Sequence, residues 1–278
     1  MISCILNEGK LLRITMERRF LMTDVHIHIE RGPYTKEWID KFVEQAVRMG
    51  LDEIYLLEHS HRFVEFTPMY ASVCEYSDYQ KNWYKSKVGL SIKEYQALIA
   101  EMRNVEFPIK IKWGLEVCYF PEYEKLIGDI LNSFPFDFAV GSIHWVEGFG
   151  FDHKAEFWNG IDTEELYRKY YSLMLRLVKS GLFSGVAHPD SIKCFHHYPI
   201  NDLTNTYCLL ADELNAHHMY AEQSGGLALN YGFEEAGMNQ TMLNVLKNKN
   251  VDIRFASDAH KPEDVGANIS KLQAILQA

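Results

Sequence analysis

The feature that most constrains this chain is a repeated pairing of short apolar runs with polar, metal-capable residues at their ends, separated by amphipathic stretches. Such alternation predicts parallel strands joined by helical crossovers. Expected strands run over about Asp24–Ile29, Asp52–Leu57, Ile109–Val117, Phe136–Ser142, Phe183–Ala187, Leu227–Asn230 and Val251–Ala256. The helices expected between them start at Thr35, Ser91, Glu122, Asp162 or Thr163, Leu203 and Gly237, with a last one over Pro262–Leu276. Thr35, Ser91 and Asp162 are side chains suited to capping a helix N-terminus, and Gly50 suits the end of the first helix. Gly225-Gly226 is read as closing the helix over Leu203–Gln223. Seven strand–helix units predict a barrel-like α/β fold.

The connection from Glu58 to Gly89 is long and aromatic, with Tyr70, Tyr76, Tyr79, Trp83 and Tyr84. A connection of that length suggests a lid or binding loop. The 278 residues, 47% hydrophobic and 24% charged, suffice for a core without disulfide or metal staples. No linker or repeat divides the chain. It reads as one domain over 23–278, preceded by an extension over 1–22 whose role the sequence leaves open.

Net charge of −10 argues against nonspecific nucleic-acid binding, and no run of basic residues offsets it. A small phosphorylated molecule remains compatible, because bound cations reverse the local potential. No stretch is apolar enough for a membrane span, and Met1–Thr23 lacks the continuous apolar core of a signal peptide. Five scattered cysteines without a C-x-x-C pair suggest reduced thiols and a cytoplasmic setting. The oligomeric state is not legible.

Residues that carry chemistry gather at the strand ends. His26 and His28 alternate on the first strand, so both imidazoles face one side. His59 follows the second strand, Glu116 lies late in the third, His144 follows the fourth, His188 the fifth, and Asp258 and His260 the seventh. The C-terminal strand ends of a parallel barrel form its active-site face. Each of these residues alone is more often a hydrogen-bonded structural group. Eight together are costly to bury unless paired or metal-bound. Nitrogen and carboxylate donors without ligating cysteine suit zinc, manganese or iron.

Taken in order, H-x-H, E-H, G-x-E, S-I-H, A-H-P-D and S-D-A-H resemble the PHP (polymerase and histidinol phosphatase) family, from about Asp24 to the C-terminus. Gly141-Ser142-Ile143-His144 and the following G-F-G-F-D run to Asp152 resemble the loop of its histidinol-phosphate phosphatases. The resemblance implies a distorted (β/α)7 TIM-like barrel holding two or three divalent metal ions. His26, His28, Glu116 and Asp258 would hold the first, His59 and His260 the second, and Glu116, His144 and His188 the third. It implies a phosphatase of histidine biosynthesis that hydrolyses L-histidinol phosphate by metal-activated hydroxide attack on phosphorus. Asp258, His61 and His153 are the candidates for moving the proton. Arg31, His61, Arg62 and His153 are the candidates for holding substrate.

One position departs from the family pattern. Many members carry a further His shortly after H-x-H, and here Ile29-Glu30-Arg31-Gly32-Pro33-Tyr34 has none. Glu30 or Glu58 replaces it, or the second ion binds only with substrate. The competing readings are a PHP phosphoesterase acting on a nucleotide, phosphodiester or other ester, and a degenerate metal-binding module. An amidohydrolase barrel also opens on H-x-H, but it would place a carboxylated lysine where Glu116 stands.

Overall fold

The computed structural model describes residues 21–278. The expected extension over 1–22 lies almost wholly outside the described residues. From Thr23 the chain alternates as the apolar runs predict. Strand β1 (Thr23–His28) leads to helix α1 (Lys36–Arg48), then β2 (Glu53–His59). Thr35 caps α1 by accepting the Trp38 N–H, and Ile39, Phe42, Val43 and Ala46 face the core. Gly50, at φ +72, turns the chain out of the helix.

The segment after β2 is more regular than its composition suggests. It forms a 3-10 stretch over Val64–Tyr70, then α2 (Ala71–Tyr76) and α3 (Asp78–Lys87). Tyr70 and Tyr84 stack at 4.8 Å inside it. Helix α4 (Ile92–Met102) starts on a capping box made by Ser91 and Glu94, followed by β3 (Lys110–Cys118), α5 (Glu124–Leu131) and β4 (Phe138–Ser142). The glycine-rich loop holds a small hairpin, β5 (Trp145–Val146) and β6 (Phe149–Gly150). Asp162 caps α6 (Thr163–Lys179), which runs to β7 (Gly185–Val186).

The sixth barrel strand is displaced from its expected place. Helix α7 (Thr204–Ala216) stops well before Gln223, because His218 adopts a left-handed conformation at φ +55. Tyr220–Ser224 then forms β8, and Leu227–Asn230, read as strand, lies within helix α8 (Gly226–Tyr231). Glu222 and Gln223 look like a helix surface, yet both are fully buried. Register with the neighbouring strand overrides their local polarity, pairing Ala221 with Ile253 and Ser224 with Ala256. Helix α9 (Gln240–Asn248) and β9 (Ile253–Ala256) follow. The last helix is shorter than expected. Pro262–Asp264 is a 3-10 turn, and α10 (Ile269–Gln277) starts after Gly266 and Asn268, both at positive φ.

Seven parallel strands make one sheet in the order β1-β2-β3-β4-β7-β8-β9. Backbone bonds draw its two edges together: His28 N–H donates to Ala259 O at 2.8 Å, and Asp258 N–H to His26 O at 3.0 Å. The buried Asp24 carboxylate joins the same seam, accepting from the backbone N–H of Ser257 (2.8 Å) and Gly266 (2.9 Å). The result is a nearly closed (β/α)7 barrel with helices outside it. The large apolar core lies between strands and helices. A smaller cluster of Val25, Tyr55, Leu57, Phe138, Val140, Ala187, Tyr220 and Ala256 packs separately. Leu57, Tyr220 and Ala256 lie two residues before His59, Glu222 and Asp258, so this plug shares their strand faces and underlies the polar mouth.

Candidate metal centre

Strand register builds the site. β2 and β3 place His59 beside Glu116, and the remaining ligand-type residues follow other strand ends around the same mouth. Glu116 is completely buried, and five imidazoles point a nitrogen at it. His144 Nε2 and His188 Nε2 lie 2.9 and 3.1 Å from Oε1. His26, His28 and His59 place Nε2 3.3, 3.3 and 3.2 Å from Oε2. Asp258 Oδ1 stands 3.7 Å from His26 Nε2 and 3.6 Å from His28 Nε2. His260 completes the group, its ring 4.5 Å from that of His28. All eight residues expected at the strand ends therefore meet.

The donor set suits divalent ions. Five triads of ligand atoms, drawn from these residues together with Glu30 and His61, each lie within 4.8 Å. The nitrogens of His26 and His28 approach to 2.9 Å. Glu116 Oε2, His28 Nδ1 and His188 Nδ1 are buried without a hydrogen-bond partner. Buried polar atoms normally find partners, so Glu116 Oε2, left unpaired while three imidazole nitrogens stand 3.2–3.3 Å from it, fits a cation-binding cluster better than a hydrogen-bonded core. Burial opposes ionisation of Glu116, but His59 and the other imidazoles hold its carboxyl well below the usual carboxylate range. Burial, then the neighbouring His59 and His260, keeps His28 well below the usual imidazole value.

Two site residues sit on strained backbone. His188 has φ +29 and Asp258 φ +57, conformations that cost a side-chain-bearing residue about 1–3 kcal/mol. The seam bond to His26 O and a contact from Asn230 Nδ2 to Asp258 O (3.2 Å) hold Asp258 there.

Above the cluster lies a cavity of about 450 Å³, whose wall includes His61, Tyr79, Trp83, His153, Tyr231 and Met238. The His61 ring is 4.5 Å from His59 and 5.0 Å from Trp83. His153 sits edge-on to Trp83 at 4.8 Å and to Tyr79 at 5.6 Å. Burial holds both imidazoles below their usual value, which keeps them neutral near pH 7. Arg31 lines the cavity. Arg62 is not among its lining residues: the turn over Ser60–Arg62 directs it to Glu58 Oε2 (3.2 Å) and Glu30 Oε2 (3.7 Å). Among the other histidines, His196 stacks on Phe233 and His197 on Trp158, both away from the centre.

Three acids near the cluster were outside the expected ligand set. Glu222, Asp152 and Glu30 contact His26, His144 and His59. Glu222 was hidden in an expected helix. Asp152 stood in the G-F-G-F-D run without a role, and Glu30 was one of two candidate replacements for the absent His. Asp190, four residues before Cys194 in the A-H-P-D turn, binds the Asn239 N–H (2.7 Å) and Lys193 (2.8 Å), so it fixes the loop after His188.

The fold and the site define a TIM-like barrel with clustered metal-binding side chains at its C-terminal mouth. A PHP domain model matches residues 24–224, and the chain belongs to the PHP domain family. It is 29% identical over 259 residues to a probable histidinol-phosphatase of Deinococcus radiodurans, covering 88% of each chain. It is 24% identical to the histidinol-phosphatase of Bacillus subtilis, covering 87% of this chain and 95% of that one. The crystal structure of a Lactococcus lactis histidinol phosphate phosphatase, complexed with zinc, L-histidinol and phosphate, superposes with a TM-score of 0.65 at 22% identity, covering 92% of each chain.

Proposed function

We propose that this chain is a metal-dependent phosphomonoesterase that hydrolyses L-histidinol phosphate to L-histidinol and phosphate in cytoplasmic histidine biosynthesis. The observation that carries the reading is the convergence of five imidazole nitrogens on the buried Glu116 beneath a cavity sized for a small substrate. The names of the relatives supply the substrate.

The proposed centre takes two or three divalent ions, zinc, manganese or iron. His26, His28, Glu116 and Asp258 would hold one, His59 and His260 a second, and Glu116, His144 and His188 a third. When bound, such ions neutralise phosphate charge and lower the pKa of water. The chain's own groups do the rest. Asp258, which lines the cavity, is placed to take the proton of the attacking water on its carboxylate. His61 and His153, neutral and on the wall, are placed to hydrogen-bond the substrate, and Arg31 at the rim offers a fork for phosphate.

The test is phosphate release by metal-loaded protein from histidinol phosphate and a panel of other phosphomonoesters, nucleotides and diesters. The reading expects histidinol phosphate to give the highest kcat/KM. Cleavage of another ester with histidinol phosphate left untouched would overturn it.

A further inference from the structure

The imidazoles at the centre each have two ring nitrogens, and the outer ones are treated unequally. His26, His59 and His144 turn Nε2 toward Glu116, at 3.3, 3.2 and 2.9 Å. On the opposite edge each meets a carboxylate. His26 Nδ1 lies 3.0 Å from Glu222 Oε2, His59 Nδ1 3.2 Å from Glu30 Oε2, and His144 Nδ1 2.7 Å from Asp152 Oδ2. The three acids come from unrelated places: β8, the turn after β1, and the loop after β6.

We propose that Glu30, Asp152 and Glu222 are positioning residues, each accepting the Nδ1–H of one imidazole and so presenting its Nε2 lone pair to the centre. An imidazole with a proton on Nδ1 has its acceptor at Nε2, so the acid decides which nitrogen is available to a metal. This rests on the metal-centre reading above, and it bears on the departure from the family pattern. Glu30 stands behind His59 as a brace, and its other oxygen, Oε1, lies 3.7 Å from His260 Nε2. Its Oε2 faces the Nδ1 edge of His59, away from Glu116, and Arg62 backs the same oxygen at 3.7 Å. Glu58 is turned to Arg62.

Glu222 argues the point most strongly. It is fully buried, its ion-pair partner is His26, and its Oε2 also accepts the His188 N–H at 3.2 Å. One carboxylate thereby orients one imidazole and anchors the backbone of another. His28 and His188 have no such acid, and their Nδ1 atoms are buried without a partner.

Long-range proton–nitrogen NMR of the zinc-loaded full chain reads the tautomers directly. The expected result is a protonated Nδ1 and an unprotonated Nε2 for His26, His59 and His144. Zinc titration against a chromophoric chelator, with elemental analysis, supplies a second reading. Glu30→Gln, Asp152→Asn and Glu222→Gln should each weaken zinc binding by roughly 10–100-fold while the number of ions at saturation stays that of the wild type. Asp152 lies in a loop, so its variant remains informative if the buried Glu222→Gln fails to fold. A proton on Nε2 of these rings overturns the proposal, as does loss of a whole zinc equivalent in Glu30→Gln at saturating zinc. A wild type that binds no zinc overturns the metal reading itself, and the proposal with it.

Discussion

Gly226 and Asp258 touch so closely that any side chain at position 226 would push Asp258 aside: an added β-carbon would overlap Asp258 Oδ2 and lie 2.8 Å from its Cβ and Cγ. The first residue of α8 thus sets where the Asp258 carboxylate stands. Gly226→Ala should fold, with a modest loss of stability of about 1–3 kcal/mol from overpacking. Its activity should fall on the order of 100-fold, because small misplacements at a reacting centre are amplified. Steady-state kinetics beside a thermal melt checks this, and an alanine variant with wild-type kcat would remove Asp258 from the mechanism.

Glu116→Ala deletes the carboxylate on which five imidazoles converge. Turnover should drop by on the order of 1000-fold or more, accompanied by a lower metal content in elemental analysis. A rate left unchanged would sink the hydrolytic mechanism.

Removing metal should cost stability as well as activity. Glu30, Glu116, Asp152, Glu222 and Asp258 gather around the imidazoles, and without cations their charges repel. Ions held at about 100–1,000 times their dissociation constant stabilise the fold by about 3–4 kcal/mol. Chelation followed by differential scanning calorimetry should lower Tm by roughly 5–15 °C, and added zinc or manganese should restore it. An identical melt with and without chelator would contradict the prediction.

The cavity wall has its own test in Lys193. This buried lysine binds Asp190 Oδ2 at 2.8 Å, Glu235 Oε2 at 2.5 Å and Gly237 O at 2.8 Å, stitching the loop after His188 to the segment carrying Met238. Lys193→Met leaves Asp190 buried without its cation and should cost about 3–5 kcal/mol. Adding Asp190→Asn should recover part of that loss. Denaturant melts of the single and double variants decide it: equal or worse stability in the double variant would refute the coupling.

How much of this was legible follows from what local sequence encodes. Strand-end placement of His26, His28, His59, Glu116, His144, His188, Asp258 and His260 could be read from apolar runs, and a parallel barrel brings such ends together. β8 could not be read that way. Tyr220–Ser224 carries Glu222 and Gln223, whose polarity belongs to a helix surface unless a partner such as His26 lies opposite, and that partner is 196 residues away. The direction of Arg62 was hidden for a related reason. Proximity in sequence to His59 says nothing of direction, and a single 3-10 turn sends the guanidinium to Glu58. The proposed substrate came from family resemblance, because no local pattern encodes it.

The seam between β1 and β9 also orders events in time. His26 and His28 are made more than 220 residues before Asp258 and His260, and the bonds from His28 to Ala259 and from Asp258 to His26 join them. A nascent chain that has not reached Ser257 carries six of the eight clustered ligand-type residues on an open cylinder. Closure of so distant a contact is intrinsically slow. The centre is therefore assembled last, and the translating ribosome holds a protein that cannot yet perform its chemistry.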